Sequence, residues 1–429
     1  MKNQAAPKIL LFIALVIIML GFGIAIPLMP FYVTHFGASA GALGLMMSLY
    51  SLLQFVFAPF WGRLSDRVGR KPVLVTGIAG FFISFLMQGL AQSFTQLTLA
   101  RVLAGVLTSA TLPTAMAYMV DITSEEDRSK GVGLMGAAMG TGMIFGPMLG
   151  GLLTGISLPL PAALTGLLQV TRDTTSGELI NLSIPFFASA LLALIAVPFI
   201  LIMLPESLPV ERRILHPAGT RESRFSQLAS GLRGPVGFLY LMAFLLAFAL
   251  ANMESILGLY GTQSFAMAPS EIGLMMGGIG VLSVIQQGVV IGPLTHKIGE
   301  VRVIQAGLVV SMVGFVLMAL AFSKWTLIAA ALVFNGGNVL LQPSVTALVS
   351  KRAAGGQGAA MGLNNSFQSL GRAIGPLWAG VAYDFYATLS FWTGALVQLV
   401  ALVYSMNVLR NADQLSAAEL IHAVLPDED

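Results

Sequence analysis

The chain has no cysteine, which excludes a disulfide framework, a thiolate nucleophile and any cysteine-held metal. Charge is scarce as well: only 10% of the 429 residues are Asp, Glu, Lys or Arg. The four histidines, His35, His216, His296 and His422, are scattered, and there is no HExxH, phosphate-loop lysine motif or GxSxG. No enzyme activity, metal or cofactor is therefore expected, and any work the chain does must draw on an ion gradient or on the substrate's own gradient. What is abundant is apolar: 56% of residues are hydrophobic and the mean hydropathy is +0.85, a composition that no soluble domain of this length carries. The pI near 9.2 comes from loop bias and gives no sign of a nucleic-acid partner.

The apolar runs are about 20 residues long, enough to cross roughly 30 Å of hydrocarbon at 1.5 Å per residue, and they lack the alternation of an outer-membrane barrel. Lipid is thus one partner, and the expected fold is an all-α membrane protein of twelve spans. These run over about 8–32, 40–61, 71–91, 95–120, 129–155, 183–204, 235–260, 270–292, 300–322, 325–349, 358–382 and 388–410. The first is too long for a signal peptide and has no small-residue cleavage site, so it is expected to be retained. With both termini inside, the cytoplasmic segments hold 18 of the 22 Lys and Arg, while the outer loops hold only Arg172 and Lys324. The charged break at 205–234 divides the chain into bundles at 1–204 and 235–410, with a cytoplasmic tail at 411–429. The long outer loop from Ile156 to Ser183 starts apolar ("ISLPLPAALTGLLQV"), which suggests a short helix lying on the membrane or the protein.

The two halves repeat. "GRLSDRVGRKPVL" at 62 matches "GPLTHKIGEVRVI" at 292, a displacement of 230; "GMIFGPMLGG" at 142 matches "GRAIGPLWAG" at 371, a displacement of 229; and Pro113 pairs with Pro343. A parallel duplication about an axis along the membrane normal is the plan of transporters that rock two bundles around a central site. The twelve spans, the duplication and "GRLSDRVGRK" between spans 2 and 3 resemble the major facilitator superfamily over essentially the whole chain. "GMIFGPMLGG" resembles the signature of its proton-driven exporters. "RVLAG", "AYMVDITSEEDRSKGVG" and "AFALANMES" are similar to the bacterial multidrug:proton antiporters.

Within these stretches particular residues carry the expected work. Gly142, Gly146 and Gly150 of span 5 recur every four residues as a bare strip, loosened by Pro147 and Gly151, which lets another helix approach closely. The resemblance implies that this strip slides against span 8 during alternating access. Arg101 sits about six residues into span 4, where a charge must pair or reach water; its stem could snorkel to the outer interface. The resemblance of Arg101–Gly105 to an RxxxG motif implies proton transfer instead. Glu254 is the single acidic residue deep inside a span. Its ionised form is penalised there, and a site that holds either a proton or an organic cation gives antiport. The matching place in related antiporters also carries a glutamate. The second acid that relatives often have in span 10 is missing: "FNGGNVLLQPS" offers only Asn335, Asn338 and Gln342, which suits a single proton per cycle.

Other polar residues inside spans are candidates either for the pocket lining or for interhelical hydrogen bonds: Gln54, Asn252, Gln286, Gln287, Asn364, Asn365 and Gln368. Arg372 either pairs with Glu254 or binds an anionic group. The abundant Met (22) and Phe (26) suit a promiscuous apolar pocket.

The charge cluster itself contains four basic residues, Arg63, Arg67, Arg70 and Lys71, which anchor the positive-inside orientation. Asp66, Gly62 and Gly69 are not explained by anchoring. By resemblance, Gly62 lets span 2 cross span 11, Asp66 lies near the N-terminus of span 11, and Arg70 bridges to Asp121 as a latch on the cytoplasmic gate. His296 stands where the repeat would place a second Asp66, so the counterpart latch is expected to be weak.

The function expected is proton-coupled efflux of amphipathic, cationic compounds across the bacterial cytoplasmic membrane by a monomer. The alternatives are export of a more defined solute, such as a sugar, tetracycline or lipid-linked molecule, and a non-transporting membrane sensor or enzyme on the same fold.

Overall fold

The computed structural model describes residues 5–124, 127–156, 168–172, 179–213, 224–233, 236–352 and 357–412. Each expected span is helical. Span 1 is α1 (Ala5–Ala25), a 3-10 turn (Ile26–Leu28) and α2 (Met29–His35); spans 2 and 3 are α3 (Ala40–Val68) and α4 (Arg70–Gly89). Span 4 is α5 (Phe94–Thr108) and α6 (Thr111–Asp121), span 5 is α7 (Arg128–Leu153), and span 6 is α8 (Ser183–Met203). A linker helix, α9 (Arg224–Arg233), precedes span 7, α10 (Gly237–Phe265). Span 8 is α11 (Pro269–Ile285), a π turn (Gln286–Val290) and α12 (Ile291–Ile298). Spans 9 to 12 are α13 (Glu300–Ala319), α14 (Lys324–Arg352), α15 (Gln357–Phe385) and α16 (Leu389–Ala412).

Among the described residues, eleven helices are long and apolar enough to cross a membrane. The one expected span outside that set, span 11 (α15), is 29 residues long but carries Asn364, Asn365, Gln368 and Arg372.

Local chemistry sets the breaks. Ser39 and Ser93 cap α3 and α5, their hydroxyls accepting from Ala42 N and Gln96 N at 3.2 and 3.3 Å. Span 4 is interrupted at Ser109–Ala110 because Pro113 removes the donor to, and its ring crowds, the Ser109 carbonyl. The π turn of span 8 ends three residues before Pro293, which likewise frees the carbonyl of Val289. Spans 2 and 3 meet at one residue, Gly69 (φ 110°), and spans 8 and 9 at Gly299 (φ 80°), both in a region that other residues rarely adopt.

The chain packs as two units, Met1–Pro217 with Gly258–Val281, and Ala218–Leu257 with Leu282–Asp429. The division therefore runs through spans 7 and 8. Inside each unit the repeat is visible in the packing. A Cβ on Gly77 would strike Thr111 and one on Gly307 would strike Leu341, both pairs being 230 residues apart. Phe315 and Phe334 meet edge to face at 4.6 Å in the second unit.

The outer-loop helix expected over 156–170 falls mostly outside the described residues. What is described of that loop is a two-stranded antiparallel ribbon, β1 (Val170–Arg172) on β2 (Leu179–Asn181), with Val170 opposite Asn181. It is tied to span 1: His35 Nε2 lies 3.1 Å from Gln169 Oε1, and Tyr32 OH is 3.2 Å from Ser183 Oγ. The acidic tail after 412 lies outside the described residues.

Candidate functional site

The charge cluster between spans 2 and 3 closes on itself. Arg70 Nη1 donates to Asp66 Oδ1 at 2.5 Å and to Ser65 Oγ at 2.8 Å, while its Nε donates to Asp121 Oδ2 at 3.1 Å. Ser207 Oγ adds a donor to the same Asp121 oxygen at 3.0 Å. The bridge from Arg70 to the end of span 4 is thus present, on a cation whose side chain is only 11% exposed.

The participant that sequence reading missed is Glu206, just past span 6. Its carboxylate accepts from Arg70 N (2.8 Å), Lys71 N (3.1 Å) and Leu208 N (3.0 Å), filling the open N-terminus of α4. Gly69 makes the room: a Cβ there would sit 2.5 Å from Glu206 Oε2. Arg67 points outward as an exposed cation. Around Gly62, by contrast, a Cβ would meet no heavy atom of the described residues within 4 Å.

The glycines of span 5 are also redistributed. The strip Gly142, Gly146 and Gly150 packs on span 1 rather than span 8; a Cβ on Gly146 would lie 2.6 Å from the Cα of Gly23. Span 8 meets a second face of the same helix. A Cβ on Gly151 would lie 2.5 Å from Pro269 O, one on Gly273 2.5 Å from Pro147 O, and one on Gly280 2.8 Å from Ile144 Cγ1. The expectation assigned one strip to one partner, but a helix with small residues at 142, 146, 150 and 151 can be approached from two sides. Glycines 273, 277 and 280 in "GLMMGGIG" were the legible signal for the second contact. Nearer the start of α7, Gly133, Gly136 and Gly140 face open space.

Arg101 does not snorkel. Its residue is 2% exposed, its guanidinium lies 5.4 Å from the centre of the Tyr50 ring, and its Nε is 3.3 Å from Met29 Sδ. Snorkelling fails because spans 1 and 2 cover the side chain before it could reach an interface. Nη2 has no partner among the described residues, and no carboxylate is paired with the group. Gln54 is drawn into the same cluster, Nε2 donating to Tyr50 OH at 2.8 Å, and the Tyr50 hydroxyl also bonds Thr108. A cation over an aromatic ring with an unused N–H is what the first unit offers to an anion or another hydrogen-bond acceptor.

In the second unit Glu254 is exposed, although Asn252, Met253, Ser255 and Ile256 around it on α10 are all buried. Arg372 of span 11 is exposed too and is the charge that acts on Glu254 electrostatically, with no direct ion pair between them. Helix α15 approaches α10 through glycine: a Cβ on Gly371 would lie 2.5 Å from Phe244 O, and one on Gly375 2.7 Å from Phe248 O.

The remaining amides separate by burial. Asn252 is fully buried; its Nδ2 donates to Ser390 O at 2.8 Å, joining spans 7 and 12, while its Oδ1 is unpaired among the described residues. Asn335 Oδ1 accepts from Ser283 at 3.1 Å, joining spans 8 and 10. Gln286 lies in the π turn, close to Gly336, with its Oε1 unpaired. Asn338 and Asn364 are buried with unpaired amide atoms, and Gln368 is 9% exposed; Gln287 and Asn365 are exposed.

A family model described as Major Facilitator Superfamily matches residues 11–376 and 236–420. "Multidrug resistance protein 2" of Bacillus subtilis (strain 168) is 30% identical over 407 residues, covering 94% of this chain and 96% of its own. "Quinolone resistance protein NorA" of Staphylococcus aureus (strain MRSA252) is 25% identical over 398 residues, covering 92% and 94%. Among solved structures, the human organic anion transporter MFSD10 (TETRAN) is similar with a TM-score of 0.67, 23% identity and coverage of 94% and 100%. A bacterial homolog to the human lysosomal transporter Spinster, in an inward-facing and unoccupied conformation, is similar with a TM-score of 0.74, 14% identity and coverage of 96% and 98%. The repeat seen in the packing and a family match running nearly end to end agree: the chain belongs to the Major Facilitator Superfamily of multi-pass membrane transporters.

Proposed function

We propose that the protein exports amphipathic organic cations in exchange for protons, as a monomer in the bacterial cytoplasmic membrane with both termini in the cytoplasm. The observation that carries this is Glu254, an acid standing open on a helix whose adjacent residues are buried, with Arg372 as the one charge acting on it. A carboxylate within a membrane span is stable either protonated or beside a cation. Proton and drug are therefore alternative occupants, and each displaces the other. The relatives named for multidrug and quinolone resistance support efflux of drugs.

In this scheme Asp66, Arg70 and Asp121 form the latch of the cytoplasmic gate, and Gly62 meets span 11 only when that gate is shut. The two glycine-lined faces of span 5 carry the movement. Arg101 belongs to the proton path, where its unpaired N–H and the Tyr50–Gln54 pair supply polar stepping points. The same unpaired guanidinium favours one second reading, export of a more defined solute that bears an acidic group.

The test is flux. Proteoliposomes carrying the purified protein are given an imposed pH gradient and loaded with ethidium. Efflux should follow the gradient in the wild type and fall to the level of empty liposomes in Glu254→Gln. Equal gradient-driven flux in the variant would remove Glu254 from coupling. Failure of ethidium with success of a zwitterion, abolished by Arg101→Met, would favour the second reading.

A further inference from the structure

The bridge between Arg70 and Asp121 has a counterpart that no comparison of motifs revealed. Adding the repeat displacement to 70 and 121 gives 300 and 351, and Glu300 and Lys351 form an ion pair in the second unit. The connecting glycines correspond as well: Gly69 has φ 110° and ψ 159°, Gly299 φ 80° and ψ 157°. The same clasp is therefore built twice, from the first residue of one helix to the end of the next, but with the charges exchanged. Looking for a second Asp66 at His296 missed a pair preserved in position and reversed in sign.

The sign has a physical consequence. The N-terminus of a helix favours an anion and its C-terminus a cation. Glu300 is the first residue of α13 and Lys351 lies in the last turn of α14, so both charges stand at the favourable ends. Glu300 thus brings its own negative charge to the N-terminus of its helix. In the first unit both charges stand at the unfavourable ends: Arg70 begins α4 and Asp121 ends α6. An arginine cannot accept a hydrogen bond, so the N-terminus of α4 needs a carboxylate from elsewhere, and Glu206 provides it. The approach requires Gly69 to lack a side chain, whereas a Cβ on Gly299 would meet open space.

We propose that Glu206 is a positioning residue of the transport cycle: it supplies the anionic cap that a cation-led clasp cannot supply for itself, which makes the first clasp releasable. Glu300–Lys351, with both charges aligned with their helices, is the permanent counterpart. The proposal rests on the reading that the chain transports. Its thermal measurements hold whatever the substrate, so its failure is distinguishable from the failure of that reading.

The experiment is a pair of backgrounds, with melting temperature and ethidium transport measured in each. In the wild type, Glu206→Gln should lower the melting temperature and slow turnover about 5-fold with KM changed less than about 2-fold, and Glu206→Asp should restore part of the rate. With the first clasp reversed, as Arg70→Glu with Asp121→Lys, Glu206→Gln should leave the melting temperature unchanged or raise it, because position 70 then caps its own helix. Glu300→Gln with Lys351→Gln should lower the melting temperature while turnover per folded molecule stays within about 2-fold. Gly69→Ala and Gly299→Ala share the backbone strain, so the first should be the more damaging by the amount due to Glu206. An equal drop for Glu206→Gln in both backgrounds, equal damage from the two glycine variants, or turnover slowed as much by the loss of Glu300–Lys351 as by the loss of Glu206 would each overturn the proposal.

Discussion

The two repeats agree in backbone and differ in charge. In the first, Gly146 of span 5 packs on Gly23 of span 1; in the second, Gly375 of span 11 packs on Asn252 of span 7, each residue 229 positions on. The one-residue turns at Gly69 and Gly299 adopt the same conformation. Interior charge follows no such rule. The first repeat buries Arg101 with no acid, and the second places Glu254 beside Arg372. A duplicated chain must keep small residues wherever two helices touch, because backbone cannot yield, while a charge can change sign or move once its partner does. The scaffold was thus repeated and the chemistry divided between the repeats.

The comparison breaks most completely at the shared scaffold. Gly146→Leu would force the Gly23 backbone away from 2.6 Å, at a cost of about 3 kcal/mol or more, and should abolish folded protein in membranes. Gly375→Leu, 2.7 Å from Phe248 O, should do the same, whereas Gly133→Ala in open space should leave expression and melting temperature unchanged. Size-exclusion profiles of the three in detergent check this; a folded, transporting Gly146→Leu protein would contradict the packing account.

Next in size is the divided chemistry. Arg101→Lys keeps the charge but loses the guanidinium's contact with the Tyr50 ring, worth about 1–2 kcal/mol when desolvated, and should slow gradient-driven transport roughly 10-fold. Unaltered rates would return Arg101 to a packing role. The smallest effect belongs to the clasp. Asp66 is 34% exposed, so its pairing with Arg70 is screened to about 1 kcal/mol, and Asp66→Asn should slow transport about 3- to 10-fold with insertion and yield intact. Rates equal to wild type would leave the stretch as a membrane anchor alone.

Much of this was legible in the sequence because it is written in periodicities. The spans follow from apolar length, and the repeat from a displacement shared by three segments. The bare strip follows from glycines four residues apart. Glu254 was legible as a lone acid in hydrocarbon. The rest lacked such a signal. Glu206 lies 136 residues from Arg70, in a polar stretch where one carboxylate looks like any other. The Glu300–Lys351 pair was hidden because matching by residue type discards a charge reversal. Tyr50 reads as one aromatic among many until the fold sets it under Arg101. Asn252 and Gln286 look alike in sequence, yet one ties its Nδ2 to Ser390 and the other sits on a π turn with a proline seven residues on.

The central claim is that proton and organic cation compete for Glu254, and proton release on binding tests it most directly. Purified protein in weakly buffered detergent solution, near neutral pH, is titrated with tetraphenylphosphonium while a pH dye is followed. The account predicts one proton released per cation bound by the wild type and none by Glu254→Gln. Binding with no release, or the same release from the variant, would contradict it.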